Sequence, residues 1–250
     1  MKYLMDNATF EKIYQVLVQI KGIHKHNVEK LRIFIEAVFY ICRAGSSWRL
    51  LPFYYGNWRS IHKRFKNWSD KGVWKSLFEN SQIDPDMELV MIDSTIVRAH
   101  ACAAGYTKDS QFQNALGRSA GGFTTKIHAL VDALGNPLKF ILTPGQRNDH
   151  TQASALIQDV FNTTVLGDKG YGSNRLIEEL KKKRCVPVIP SRNNSICPRK
   201  YDKHVYKERH LIECFFGKIK HFRRVFSRFE KSAQSFLSFI YFVGALIWFK

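Results

Sequence analysis

Four residues in the last quarter of the chain, Tyr206, Arg209, Glu213 and Lys220, stand at successive offsets of three, four and seven positions. At about 100° of helical turn per residue, Arg209 falls about 40° to one side of Glu213, Lys220 about 20° to the same side and Tyr206 about 20° to the other. One helix over 206–220 would therefore carry all four on a single stripe. A carboxylate among two fixed cations and a phenol suits a metal ion held beside a phosphate. A basic surface helix with a spare glutamate has the same composition, and these residues alone leave both readings open.

Two further carboxylates stand where short apolar runs end. Leu89–Ile92 reads as a strand stopping at Asp93, and Thr164–Gly167 as one stopping at Asp168. Open α/β sheets collect their sites outside such strand ends. Asp93, Asp168 and Glu213 lie 75 and 45 residues apart, so only a fold can bring them together. Three carboxylates suit hard divalent cations, which take oxygen ligands, and paired cations suit displacement at a phosphodiester. Rival acids have plainer expected roles. Asp84, Asp86 and Glu88 read as solvated linker, Asp109 as part of a polar loop, and Glu178 and Glu179 as partners of neighbouring lysines. Asp149 or Thr151 is expected to cap a helix running to about residue 161. Ser94 and Tyr171 lack the basic setting of a recombinase nucleophile, and His100 and His128 read as structural.

Elements must position these groups. Residues 9–43 read as two helices broken near Lys21-Gly22; Asn57 or Ser60 caps a third, and Val73–Glu79 forms a fourth. This region is expected to be a helix-turn-helix-like DNA-binding module with Lys63, Arg64 and Lys66 turned away from its apolar face. The pattern changes at Ile83–Asp86, which sets expected domains of 1–84 and 85–250. Beyond it the order reads strand, polar loop over 98–122, hairpin turning at Asp132–Pro137, helix, strand, helix, strand, basic loop and helix. The expected class is α/β, a mixed sheet flanked by helices behind a small all-α domain.

The whole chain, 250 residues with a net charge of +18 and a pI near 9.8, implies a polyanionic partner. A hydrophobic content of 45% excludes a disordered basic tail. The five cysteines form no Cys-x-x-Cys pair, which predicts reduced thiols in a cytoplasmic protein rather than a zinc site. The N-terminus lacks a signal-peptide core. The apolar run 235–249 is shorter than the roughly 20 residues that span a bilayer and is expected to be a buried helix.

Taken together, Met91-Ile-Asp93-Ser-Thr, Val165-Leu-Gly-Asp168-Lys-Gly-Tyr171 and Tyr206-x2-Arg209-x3-Glu213-x6-Lys220 resemble the DDE transposases of bacterial insertion sequences. The last spacing matches their YREK signature at all four positions. The chain is most similar to the insertion-sequence-five (insertion-sequence-four-like) group. That group has N-terminal patterns like Trp48-Arg-Leu-Leu-Pro52…Trp58…Arg64-Phe65…Trp68, and middle ones like Lys126-Ile-His128…Asp132…Asn148-Asp149. The resemblance implies an RNase H-like core and two divalent cations, Mg²⁺ or Mn²⁺, on Asp93, Asp168 and Glu213. It implies DNA contacts from Tyr206, Arg209 and Lys220, to which Lys169, Arg223 and Arg224 are added as candidates. It further implies terminal inverted repeats and target DNA as partners, at least a homodimer, and a place on the bacterial nucleoid.

Overall fold

Short polar side chains open five of the helices in this computed structural model, which describes residues 5–25, 27–103, 115–119, 121–191, 195 and 198–250. The chain divides into two compact units. Met1–Ile83, Arg98–Ser110 and Ile219–Lys250 make up the first, and Asp84–Val97 and Gln111–Lys218 the second.

In the first unit, Asp6, Asn27 and Asn57 accept hydrogen bonds from Thr9, Lys30 and Arg59 backbone N–H groups and so cap α1 (Asn7–Gln19), α2 (Val28–Ala44) and α3 (Trp58–Asp70). α4 (Val73–Glu79) follows the left-handed Gly72. The remaining helices of this unit come from the far end of the sequence. They are α8 (Arg223–Phe226), and α9 (Ala233–Trp248), which is capped by Ser232. Aromatic side chains fill the core. The Phe65 and Phe239 rings stack with centroids 4.5 Å apart, Trp74 meets Phe242 at 5.4 Å, and Phe34 meets Trp68 edge-on at 4.9 Å. α9 is thus a core helix, as its length predicts, and no described helix is long and apolar enough to cross a membrane.

The second unit is built on a sheet. β1 (Leu89–Ala99), β2 (Gly117–Ser119), β3 (Gly122–Val131), β4 (Pro137–Pro144), β5 (Thr164–Gly167) and β6 (Val186–Val188) run in the order β2-β3-β1-β5-β6, with β4 also paired to β3. β3 and β4 form an antiparallel hairpin, while β1, β5 and β6 are parallel. Asp132 closes the hairpin turn, its Oδ1 accepting from the Leu134 and Asn136 N–H groups at 3.0 and 2.7 Å. α5 (Ala153–Leu156) and α6 (Asn174–Lys182, capped by Ser173) pack Leu156, Leu176 and Leu180 with Val90, Ile92 and Val165.

Three expectations need correction. β1 continues to Ala99 rather than stopping at Asp93, because Thr95, Ile96 and Val97 are β-branched and hold the chain extended. The helix expected from Asp149 to about residue 161 is only a 3₁₀ turn, Asp149–Gln152, followed by the single turn of α5. The helix expected over 206–220 also begins as a 3₁₀ turn, Val205–Arg209, before α7 (His210–Lys220). That turn is set by Asp202, whose Oδ1 accepts from the N–H groups of His204 and Val205 at 2.7 and 3.1 Å. Asp109 and the middle of the expected polar loop, residues 104–114, lie outside the described residues, as does Cys197.

Candidate active site

The register of β1 and β5 places two of the candidate carboxylates. Their parallel ladder ends on the pair Ile92 and Gly167, so Asp93 and Asp168 are the next residues on neighbouring strands. Parallel neighbours lie about 4.8 Å apart, and residues in register point to the same face. β5 stops there because the Asp168 Oδ1 accepts from the Gly170 N–H at 2.8 Å and caps a 3₁₀ turn, Lys169–Tyr171. Asp168 therefore does a turn-capping job in addition to acting on Asp93 through its charge.

Arg209 supplies the third connection. Its Nη1 donates to Asp93 Oδ2 at 2.9 Å, and its Nη2 donates to Glu213 Oε1, one helical turn onward. One planar guanidinium thus ties the strand carboxylate to the helix carboxylate, which a lysine point charge would not do. The Arg209 side chain is 20% exposed and that of Glu213 is 55% exposed, so the cluster has a buried floor and an open rim.

Burial pushes the Asp93 carboxyl up to about 6; Asp168 and Asp149 push the same way, while the Ser94 N–H and Arg209 act against them. Burial by itself would weaken the hold of Arg209 on its proton. The carboxylates of Asp93 and Glu213 outweigh it and raise the value further. The Tyr206 phenol is raised mainly by burial, with its ring edge-on to Tyr201 at 5.3 Å.

Three participants are not singled out by their residue types. Asp149, expected as a helix cap, instead accepts from Ser94 Oγ at 2.8 Å and from Lys126 Nζ at 2.7 Å. Lys126 is buried, and its Nζ also donates to the Arg147 carbonyl at 2.7 Å. This ion pair underlies the residue that follows Asp93. A lysine in the middle of a strand that is otherwise uncharged, and its place with Asn148-Asp149 in the resembling pattern, are the available signals. Tyr171 is fully buried beside this group, and burial raises its phenol steeply. It is a core residue.

The other candidates separate. Lys169 and Arg223 are exposed, and Lys220 is half-buried at the end of α7. Arg224 is a correction. In the first unit it is buried, pairs with buried Glu230 at 2.7 Å and donates to the Ser46 carbonyl at 3.0 Å. Its guanidinium holds the fold together in place of the expected DNA contact. Arg64 is likewise occupied, lying 4.3 Å above the Phe34 ring and donating to the His24 carbonyl at 2.9 Å.

Among the described residues, no three His, Cys, Asp or Glu side chains are gathered as a ready metal site. The acids that act on Asp93, Asp168 and Asp149, nevertheless offer carboxylate oxygens, and Asp93 carries a burial penalty that Arg209 does not cancel. Such a set fits a hard divalent cation and does not suit soft metals.

Comparisons with known proteins identify the family of the chain. The family described as "Transposase DDE domain" matches residues 84–248, and one described as "Putative transposase of IS4/5 family" matches residues 5–78. A relative from Brucella ovis, named "Putative transposase for insertion sequence element IS6501", is 39% identical over 132 residues, covering 51% of this chain and 99% of its own. One from Burkholderia cepacia, named "Putative transposase for insertion sequence element IS402", is 31% identical over 44% of this chain and 56% of its own. A solved piggyBac transposase synaptic complex with hairpin DNA covers 78% of this chain and 50% of its own, at 13% identity and a TM-score of 0.43. With the first match running over well more than half of its length, from the strand that carries Asp93 to the last helix, the chain belongs to the transposase DDE domain family of DNA transposases, whose chemistry depends on divalent metal.

Proposed function

We propose that the protein cuts phosphodiester bonds at the ends of an insertion sequence and joins the freed 3′-hydroxyl to target DNA. The observation that carries this reading is the Arg209 guanidinium bridging Asp93 and Glu213 beside Asp168. In this proposal Asp93, Asp168 and Glu213 hold two Mg²⁺ or Mn²⁺ ions. When bound, the ions activate the attacking oxygen and neutralise charge on the leaving one. Asp93 and Asp168 are set by their strands. Glu213 moves with α7, and Arg209 holds it toward Asp93. Exposed Lys169 and Arg223, with Tyr206 and Lys220, contact the phosphates of the element end.

The sheet order, with a hairpin on one side of β1 and parallel strands on the other, supports an RNase H-like core. The Tyr206, Arg209, Glu213 and Lys220 spacing supports placement in the insertion-sequence-five group. The proposed DNA-binding region is residues 1–84, and the proposed catalytic region lies within residues 85–250, of which 219–250 belong to the first compact unit. Two element ends must be held at once, which favours a homodimer or larger complex acting on the bacterial nucleoid in the cytoplasm.

The test uses purified protein, Mg²⁺ or Mn²⁺, and DNA carrying the inverted repeats that flank the coding region. Strand-transfer products should form, and Glu213→Gln should abolish them while DNA binding is retained. Cleavage without joining would identify a nuclease. Products that survive Glu213→Gln would overturn the assignment of Glu213.

A further inference from the structure

Between α2 and α3 the chain makes two successive 3₁₀ turns, Trp48–Leu50 and Phe53–Tyr55. Each is closed by backbone hydrogen bonds: Leu50 N–H to Ser47 at 2.9 Å and Leu51 N–H to Trp48 at 3.1 Å, then Tyr55 N–H to Pro52 at 3.1 Å and Gly56 N–H to Phe53 at 2.9 Å. The second turn ends at Gly56, whose φ of 91° is open to glycine. Trp48, Leu51 and Tyr55 point inward and are buried, with Tyr55 tilted against Tyr40 at 5.7 Å. These anchors fix what the turns present outward.

The outward residues are unusual for solvent. Leu50 is 70% exposed, Phe53 91% and Tyr54 60%, and the Phe53 and Tyr54 rings stand edge-on with centroids 6.0 Å apart. A loop that only had to connect two helices would not need three large apolar groups in water. Around them, Arg49 and Arg59 place guanidinium carbons 5.9 and 5.5 Å from the centre of the Trp58 ring. Arg49, Arg59 and Lys63 are exposed, and no Asp or Glu occurs between Glu36 and Asp70. Aromatic faces set among exposed cations match a ligand that has both flat apolar rings and phosphates. Paired duplex DNA offers phosphates but hides its base faces in the stack. Unpaired strands offer both.

We infer that the Leu50, Phe53 and Tyr54 tip is a stacking site for unpaired bases of DNA, with Arg49, Arg59 and Lys63 on the adjoining phosphates. It rests on the proposal that this region binds DNA and adds which form of DNA its tip takes. Phe53 and Tyr54 stack on one or two splayed bases, and Leu50 covers the edge. The site is sequence-tolerant, because every base has a π face.

The test compares the full chain with Phe53→Ala/Tyr54→Ala for binding to an oligo-dT strand and to a matched duplex at one salt concentration. The double variant should bind the single strand roughly tenfold or more weakly and bind the duplex as the wild type does. Phe53→Trp, which keeps a stacking face, should retain single-strand affinity. It should also quench a 2-aminopurine base placed in the strand. Equal loss on both DNAs, or none on the single strand, would overturn the inference. So would a drop in oligomeric mass of the double variant by light scattering, which would make the tip a contact between copies of this chain. If the wild type binds neither DNA, the DNA-binding reading of the region falls with it. If it binds duplex and the double variant keeps single-strand affinity, only the tip is wrong.

Discussion

Two buried residues of the second unit titrate abnormally and in opposing senses. Asp93 is held up to about 6, so its ionisation costs the folded state stability that is fully present below the ordinary carboxylate value and lost as pH rises through about 6. His128 is fully buried, with Nε2 against Thr143 Oγ1 at 2.8 Å, and burial lowers its value to about 4. Its contribution is intact above the ordinary histidine value and is lost as pH falls toward about 4. Each amounts to about 3 kcal/mol at most, since a tenfold change in proton affinity corresponds to about 1.4 kcal/mol. The two effects oppose each other over the same window. The wild type should therefore change little in metal-free urea stability between pH 7 and pH 4. His128→Leu should gain stability on acidification, Asp93→Asn should lose it, and parallel profiles for the two variants would refute this account.

The elements show what the sequence makes legible. The apolar strand segments leading up to Asp93 and Asp168 are readable because a short apolar run closing on an acid is a local pattern. The reach of β1 to Ala99 depends on β-branched residues after the acid, whose extended preference a boundary drawn at Asp93 overlooks. The stripe of Tyr206, Arg209, Glu213 and Lys220 presumes an unbroken helix, but Asp202 starts the segment as a tighter turn. The Arg209 contact with Asp93 spans 116 residues, and nothing local encodes it. Asp149 looks like a cap because caps are common before helices; its Lys126 partner lies on β3, 23 residues earlier in the chain. Arg224 looks like one more surface cation, since burial against Glu230 is set by tertiary packing alone.

A junction in the first unit offers a test at the same scale. Gly45 ends α2 with φ of 69°, and a methyl group there would come within 2.7 Å of Arg223 Cβ. Gly45→Ala meets left-handed strain of about 1–2 kcal/mol together with that clash. It should lower the unfolding midpoint of the first unit, read by the near-UV signal of its tryptophans. Gly56→Ala, where nothing stands within 4 Å of the added carbon, should cost only the strain of its own glycine-favouring backbone, about 1–3 kcal/mol at φ 91° and ψ −165°.

At the scale of the molecule, the two units do not follow chain order. The core that α1 to α4 help to form takes Phe236, Phe239 and Phe242 from α9. A fragment of residues 1–83 would leave Phe65, Trp74 and Phe78 facing water. It should show helical far-UV circular dichroism with little near-UV signal and should bind a hydrophobic dye. Adding a peptide of residues 219–250 should restore the near-UV signal, and a fragment that folds sharply on its own would contradict this assignment of the core.

That discontinuity also has a cost in time. A ribosome adding about 5–20 residues per second needs roughly 10–30 s to travel from the end of α4 to the end of α9. Through that interval a nascent chain holds an aromatic surface with no lid, beside a basic stretch able to meet DNA. The first unit matures only after the residues of the second have been made, so a molecule cut short before α9 lacks a finished form of the region proposed to bind DNA as well as its last helix. Premature termination or early proteolysis would then leave no competent binder to occupy element ends in place of the intact protein.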